Sequence, residues 1–145
     1  MSLYTQLQQR AADKKPIRVG LIGAGKFGSM YLSQVVRTPG VHLVAIADLN
    51  PAGAKKNLAR VGWTPQQSAA TSAASALRDG NTWITDDWQA LVKLPEIEIV
   101  VECTGSPVHA VDHILAAIAK HKHVVNVTVE ADAFCGPLLA RRAAE

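Results

Sequence analysis

Cysteine, aromatic residues and excess charge are all scarce in this chain of 145 residues. It has two cysteines, which form no Cys-x-x-Cys pair, whereas a secreted disulfide scaffold would need more. Aromatic residues make up 5% of the chain and the formal net charge is +3, so no basic, aromatic-rich surface for nucleic acid is indicated. The first residues lack the apolar core of a signal peptide, and no apolar run approaches the roughly 18 residues that span a bilayer. We therefore expect a cytoplasmic protein that binds neither nucleic acid nor membrane.

Short apolar runs alternate with helical patterns along most of the chain. Runs rich in Val, Ile and Ala, each closed by a glycine or a polar residue, are typical of buried parallel strands. The predicted strands are 17–22, 41–47, 82–85, 97–103 and 123–128, and the predicted helices are about 2–14, 25–37, 51–60, 69–77, 87–91 and 107–118, with a last helix from about 130. This order predicts an α/β fold with a doubly wound parallel sheet, a Rossmann domain over 16–145 that follows a helical extension over 1–15.

A glycine-rich hexamer joins the first predicted strand to the next helix. It matches G-x-G-x-x-G, and its residues are Gly23, Ala24, Gly25, Lys26, Phe27 and Gly28. In a dinucleotide site the first glycine permits the tight turn, the second lets the backbone approach a pyrophosphate, and the third lets the helix pack closely. The pyrophosphate then lies at the positive amino end of the helix, where Lys26 either meets a phosphate oxygen or stays in solvent. The alternative is a tight turn that binds no ligand.

An acidic residue ends the second predicted strand. Asp48 follows Gly28 by 20 residues, the place where a carboxylate receives the ribose hydroxyls of a dinucleotide. Taken alone, Asp48 favours NAD(H), because a carboxylate repels the 2′-phosphate of NADP(H). Asn50 is a second candidate for the ribose, and Lys55 and Lys56 are candidates for a phosphate. The alternative role for Asp48 is to cap the helix that begins near Pro51.

The loops after the two later strands complete the predicted site. Ligands bind at the carboxyl ends of parallel strands, so we expect Thr104, Gly105 and Pro107 to border the nicotinamide half of the cofactor. Glu130 lies after the last strand, where it is either part of the site or a carboxylate at a helix start. We expect Cys103 to be a small buried hydrophobe rather than a nucleophile.

Two histidines have the spacing of a helical metal pair. His109 and His113 lie four residues apart, but no third ligand is evident, and we expect no metal. The predicted apolar face of their helix is Val108, Val111, Ile114, Leu115 and Ile118, which puts both histidines on the solvated face.

Taken together, these motifs resemble the amino-terminal domain of the homoserine-dehydrogenase-like NAD(P)-dependent oxidoreductases. The segments that carry the resemblance are 19–28, 44–51, 100–105 and 123–132. Within that group the chain is most similar to the 1-deoxy-D-xylulose-5-phosphate reductoisomerase-like enzymes, which are often tied to a SAF domain. The resemblance implies NADP(H), whereas Asp48 taken alone favours NAD(H), so both cofactors remain candidates. It also implies an enzyme more than twice this length, whose catalytic and substrate-binding residues lie downstream.

The sequence thus supports two hypotheses of different classes. In the first, the chain is the cofactor domain of an oxidoreductase that exchanges a hydride with a small substrate and assembles into a homo-oligomer. In the second, it is a non-catalytic nucleotide-binding or redox-sensing module, because no complete catalytic constellation occurs in it. A third possibility is a doubly wound domain for another phosphorylated ligand.

Overall fold

Strands and helices alternate throughout the computed structural model, which describes residues 2–145. The elements are α1 (Leu3–Ala12), β1 (Ile17–Ile22), α2 (Lys26–Val35), β2 (Val41–Ala47), α3 (Pro51–Arg60), a 3-10 turn (Pro65–Ser68), α4 (Ala73–Asp79), β3 (Trp83–Thr85), α5 (Trp88–Lys93), β4 (Ile99–Glu102), α6 (Pro107–Ala119), β5 (His123–Asn126) and α7 (Val129–Ala144). Among residues 2–145, none of the helices combines the length and the apolar character that a membrane span requires.

The five strands form one parallel sheet in the order β3-β2-β1-β4-β5. The chain therefore moves outward from β1 through β2 to β3 and then returns to the other side of β1 to place β4. This reversal makes β1 and β4 neighbours, and it opens a crevice between the loops that follow them. The predicted doubly wound α/β fold is confirmed.

Two hydrophobic layers cover the two faces of the sheet because alternate strand residues point to opposite sides. One layer packs Leu32 of α2 and Leu58 of α3 against the sheet. The other packs Leu91 of α5 and Ala117 of α6 against the opposite face. With both faces covered, the carboxyl edge of the sheet is left for a ligand.

Local capping residues set where several helices begin. Asn50 caps α3 with its side-chain oxygen, 2.9 Å from the backbone nitrogen of Gly53, and Pro51 occupies the first helical position. Ser72 caps α4, which begins four residues later than predicted. The sequence predicts Asp86 as the cap of α5, but the cap is its neighbour Asp87, whose side chain accepts a bond from the backbone nitrogen of Ala90.

The buried face of α6 differs from the prediction. Its buried residues are Ala110, His113, Ile114 and Ala117, whereas Val108 of the predicted stripe is 72% exposed. The helix is thus rotated about its axis relative to the predicted face. His113 turns inward as a result, and its predicted place on the solvated face is wrong.

Helix α1 is an appendage on this framework. None of its residues is fully buried. It approaches the domain at the turn before β2, where a Cβ on Gly40 would lie 2.0 Å from the carbonyl oxygen of Leu7. Gly40 has a φ of +71°, so both its backbone and this contact favour glycine.

Candidate functional site

The outer glycines of the hexamer are required by the fold itself. Gly23 has a φ of +94°, and a Cβ there would lie 2.8 Å from the backbone of Cys103. A Cβ on Gly28 would lie 2.4 Å from the carbonyl oxygen of Gly23. Both distances are too short for any side chain, so these two glycines hold the turn closed against β4.

The middle glycine has no such structural role. A Cβ on Gly25 would meet nothing within 4 Å, and its φ of −72° suits any residue. Gly25, Lys26 and Phe27 are exposed, whereas Ala24 is buried. The fold alone therefore gives no reason for glycine at this position, and the space above it is open.

The amino end of α2 carries unpaired backbone donors. Among the described residues, no acceptor bonds the N–H groups of Gly25, Lys26, Phe27 or Gly28. Helix amino ends leave such groups free, and here no side chain caps them. Together with the positive end of the helix dipole, these donors can bind an anion such as a pyrophosphate.

Asp48 closes the opposite side of the crevice. Its two carboxylate oxygens accept bonds from the backbone nitrogens of Ala24 and Asn50, each at 2.8 Å. Each carboxylate oxygen can accept a further bond, so Asp48 retains capacity for hydroxyl groups. The capping role suggested for Asp48 belongs to Asn50, whose side-chain oxygen is directed at α3.

The lysines suggested for a phosphate do not line the crevice that Asp48 lines. Lys55 lines a different, larger concavity of about 610 Å³, together with Trp63 and Trp83. That concavity does not include the glycine turn. The crevice itself encloses about 280 Å³ between Gly25, Asp48, Leu49, Trp88, Thr104 and His109.

The loop after β4 is held by a buried carboxylate. Glu102, the last residue of β4, is fully buried and accepts bonds from the hydroxyl of Thr104 at 2.5 Å and from Nδ1 of His113 at 3.3 Å. It also accepts a bond from the hydroxyl of Thr128, after β5. Burial by itself would raise the pKa of Glu102, but the bonds from His113, Thr104 and Thr128 outweigh burial and hold this pKa below its ordinary value.

Sequence reasoning missed Glu102, Trp88 and the inward position of His113. The ring of Trp88 packs edge-on against that of His113, with centroids 4.5 Å apart, and both line the crevice. The available signal was Glu102 itself, a charged residue at the end of an apolar strand, since buried parallel strands rarely hold an unpaired charge.

The remaining predicted residues occupy mixed positions. Thr104 and Gly105 are exposed at the carboxyl edge, and Pro107 begins α6. Glu130 is exposed in the first turn of α7 and does not line the crevice. Cys103 is buried as predicted, and burial, aided by the charge of Glu102, raises its thiol pKa to about 12.

His109 and His113 each bond a side chain of the chain itself. His109 bonds Ser106 at 2.8 Å, and His113 bonds Glu102. Across the residues that the structure describes, no group of three potential ligands is arranged for a metal ion.

A glycine turn with free N–H groups, an acid after β2 and a crevice at the strand reversal define a dinucleotide-binding Rossmann domain. Residues 17–126 match the Gfo/Idh/MocA model, described as the oxidoreductase family with an NAD-binding Rossmann fold. The chain belongs to this family.

The chain spans less than a third of the length of each of three proteins to which it is similar. It is 33% identical over 136 residues to the inositol 2-dehydrogenase of Acidothermus cellulolyticus, covering 92% of the chain and 31% of that protein. A homoserine dehydrogenase from Thiobacillus denitrificans superposes with a TM-score of 0.69 at 26% identity, covering 90% of the chain and 27% of that structure. The myo-inositol dehydrogenase of Lactobacillus casei, solved with NAD(H) and myo-inositol, superposes with a TM-score of 0.57, and the match covers 77% of the chain and 28% of that structure. At 19% identity, this likeness shows the fold alone.

The comparisons refine the resemblance drawn from sequence. The wider likeness to a homoserine dehydrogenase is found in the fold, whereas an inositol 2-dehydrogenase is among the relatives found by sequence. The narrower link to reductoisomerase-like enzymes receives no support, and the implied preference for NADP(H) is not established.

Proposed function

We propose that this chain is the cofactor domain of an NAD(H)-dependent dehydrogenase that acts on a small polyhydroxylated substrate. The chain spans less than a third of the inositol 2-dehydrogenase to which it is similar, so the substrate-binding part is proposed to lie outside these residues. The observation that carries the proposal is the open space over Gly25 beside the free N–H groups at the amino end of α2.

In this proposal each part of the crevice holds one part of the dinucleotide. The N–H groups at Gly25 to Gly28 hold the pyrophosphate, and the carboxylate of Asp48 accepts bonds from the adenosine ribose hydroxyls. The loop that contains Thr104 and Gly105 then borders the nicotinamide half. When bound, the nicotinamide accepts a hydride from a carbon that bears a hydroxyl group, or returns it to the carbonyl carbon.

Asp48 is the reason to propose NAD(H) rather than NADP(H). Its carboxylate faces the crevice and accepts two backbone bonds that keep it in place. A 2′-phosphate beside it would bring two negative charges together. Lys55, which lines another concavity, does not offset that repulsion.

The relative at 33% identity supports the substrate class. That relative is named as a dehydrogenase of inositol, which is a cyclic polyol. The proposed reaction therefore oxidises a secondary alcohol to a ketone. In such a reaction the carbinol carbon would lose a hydride to bound NAD⁺, and the hydroxyl proton would have to pass to a base. We assign that base to no residue of this chain.

The glycine at position 25 provides the test. Calorimetry would compare NADH binding to the chain, to the Gly25→Ala variant and to the matched Gly136→Ala variant. A Cβ on Gly136 meets only ordinary contacts at 3.6 Å, so both substitutions are tolerated by the fold. The expected result is binding by the chain and by the Gly136 variant, with about tenfold or greater loss in the Gly25 variant.

Circular dichroism and a thermal melt would show that each variant is folded. Equal NADH affinity in all three folded proteins would contradict the assigned pyrophosphate site. Absence of binding to the folded chain would contradict the dinucleotide proposal for these residues.

A further inference from the structure

Two side chains that are charged at neutral pH are buried in the described part of the chain, at opposite ends of the sheet. Lys122 donates to the carbonyl oxygens of Leu94 and Ile97, at 2.6 and 2.7 Å, and this ties the turn before β5 to the loop between α5 and β4. Glu102 lies at the carboxyl end of β4, beside the crevice, and is fully buried. The burial of Lys122 is explained by its structural role in joining these segments. Glu102, by contrast, bonds the loops of the proposed site.

The carboxylate of Glu102 collects donors from three separate segments. Thr104 of the loop after β4 donates through its hydroxyl and, at 3.2 Å, through its backbone nitrogen. Thr128, in the loop after β5, donates its hydroxyl to the other carboxylate oxygen. His113 of α6 approaches through Nδ1. One side chain thereby connects both loops at this end of the sheet to the helix behind them.

Both threonine hydroxyls also bond the backbone of the loop after β4. Each hydroxyl donates to Glu102 and accepts a bond from a backbone N–H in the loop after β4. The hydroxyl of Thr128 accepts from Gly105 at 3.0 Å, and that of Thr104 accepts from Ser106 at 3.3 Å. Gly105 has a φ of +70°, so the loop makes a sharp turn where it is held. The shape of this loop therefore depends on the direction of the two hydroxyl protons, which Glu102 fixes.

The geometry points to Glu102 as a positioning residue that sets the loops after β4 and β5 for the nicotinamide half of the cofactor, acting through Thr104 and Thr128. This inference rests on the proposed function. With the pyrophosphate at the glycine turn and the adenosine ribose at Asp48, the ends of β4 and β5 are left for the nicotinamide half.

A carboxylate suits this position because it only accepts hydrogen bonds. All four groups directed at Glu102 are able to donate. An amide would place an NH₂ group against a hydroxyl that donates to Glu102, so that hydroxyl would lose its acceptor and its proton would have to turn elsewhere. The Glu102→Gln variant therefore disturbs the loop with almost no change in volume.

The test compares NADH with ADP, which carries the adenosine and the pyrophosphate but lacks the nicotinamide half. Affinities of both ligands would be measured for the chain and for Glu102→Gln, together with the fluorescence of the bound reduced nicotinamide. We expect the variant to bind NADH about tenfold more weakly, to bind ADP within about twofold of the chain, and to lose the rise in nicotinamide fluorescence.

Two further sets of variants separate positioning from stability. Thr104→Val and Thr128→Val remove single hydroxyls and should weaken NADH relative to ADP in the same direction, and they decide the matter if Glu102→Gln does not fold. Lys122→Met removes the other buried charge, so it should lower the melting temperature while leaving the NADH-to-ADP affinity ratio unchanged.

The outcomes distinguish this inference from the function on which it rests. If the folded chain binds neither ADP nor NADH, the proposed function fails and the inference fails with it. If the chain binds ADP and NADH equally, or if all folded variants keep the affinity ratio and the fluorescence, the role of Glu102 is contradicted while the pyrophosphate site stands.

Discussion

The carboxylate of Asp48 accepts a hydrogen bond from the backbone N–H of Ala24 at 2.8 Å, across 24 residues of sequence. This bond joins the loop after β2 to the glycine turn after β1. It therefore fixes the distance between the two groups proposed to hold the adenosine ribose and the pyrophosphate. The same bond orients the carboxylate whose charge is proposed to select NAD(H).

Replacing Asp48 by Asn should change cofactor selectivity. The amide oxygen can keep one backbone bond, but the negative charge is lost, so repulsion of a 2′-phosphate is removed. We expect the ratio of NADPH to NADH affinity to rise on the order of tenfold, measured by calorimetry at fixed ionic strength. An unchanged ratio in a folded variant would show that Asp48 does not face the 2′ position.

Replacing Gly28 by Ala should lower the stability of the domain. The new Cβ would lie 2.4 Å from the carbonyl oxygen of Gly23, so the turn or the helix must shift. We expect a loss of about 1–3 kcal/mol in the free energy of unfolding, measured by urea denaturation. Gly25→Ala is the matched comparison, and an equal loss in both variants would contradict the division between structural and ligand-facing glycines.

The stability of the domain should depend on the ionisation of Glu102. Its pKa is lower in the folded chain than the ordinary value of 4.5, so the unfolded chain binds this proton more readily. The contribution of Glu102 is therefore fully present above the ordinary pKa and is lost as the pH falls through the folded pKa. The difference in free energy of unfolding between the chain and Glu102→Gln should shrink from about pH 6 to about pH 3. A difference that stays constant over that range would contradict the ionised, hydrogen-bonded state.

The two cysteines should differ in reactivity. Burial, followed by the charge of Glu102, raises the pKa of Cys103 to about 12, so its thiol stays protonated at neutral pH. Cys135 is only partly buried. Iodoacetamide should modify Cys135 first and Cys103 only on unfolding, as followed by mass spectrometry of the two peptides. Equal rates in the folded chain would contradict the burial of Cys103.

The sheet and the glycine turn could be predicted because their signals are local. Strand β2 over 41–47 and helix α3 over 51–60 have the predicted bounds, since a β-branched run and a proline at the first helical turn are both visible in the sequence. The start of α5 is harder to predict, because Asp86, the predicted cap, is followed by Asp87, which has the same side chain. The contact of Asp87 with Ala90 decides between them.

The network around Glu102 could not be predicted because its partners are distant in sequence. The spacing of His113 in the sequence predicts a solvated face, whereas its bond to Glu102 and its packing against Trp88 hold it inward. Thr128 lies 26 residues from Glu102, on another loop. A prediction from hydrophobic periodicity places polar residues on the exposed face of a helix. It therefore fails for a helix such as α6, whose buried face includes a polar residue that is hydrogen-bonded inside the protein.

The central claim is that the amino end of α2 holds the pyrophosphate of a dinucleotide, and amide NMR tests it most directly. The chain would be labelled with ¹⁵N and titrated with NADH, and each backbone amide would be followed. We predict that the largest shifts fall on Gly25, Lys26 and Phe27, with further shifts at Gly105 and Ser106 and none in α1. Saturable shifts centred instead on the concavity beside Lys55 and Trp63, or no shifts at the glycine turn, would contradict the account.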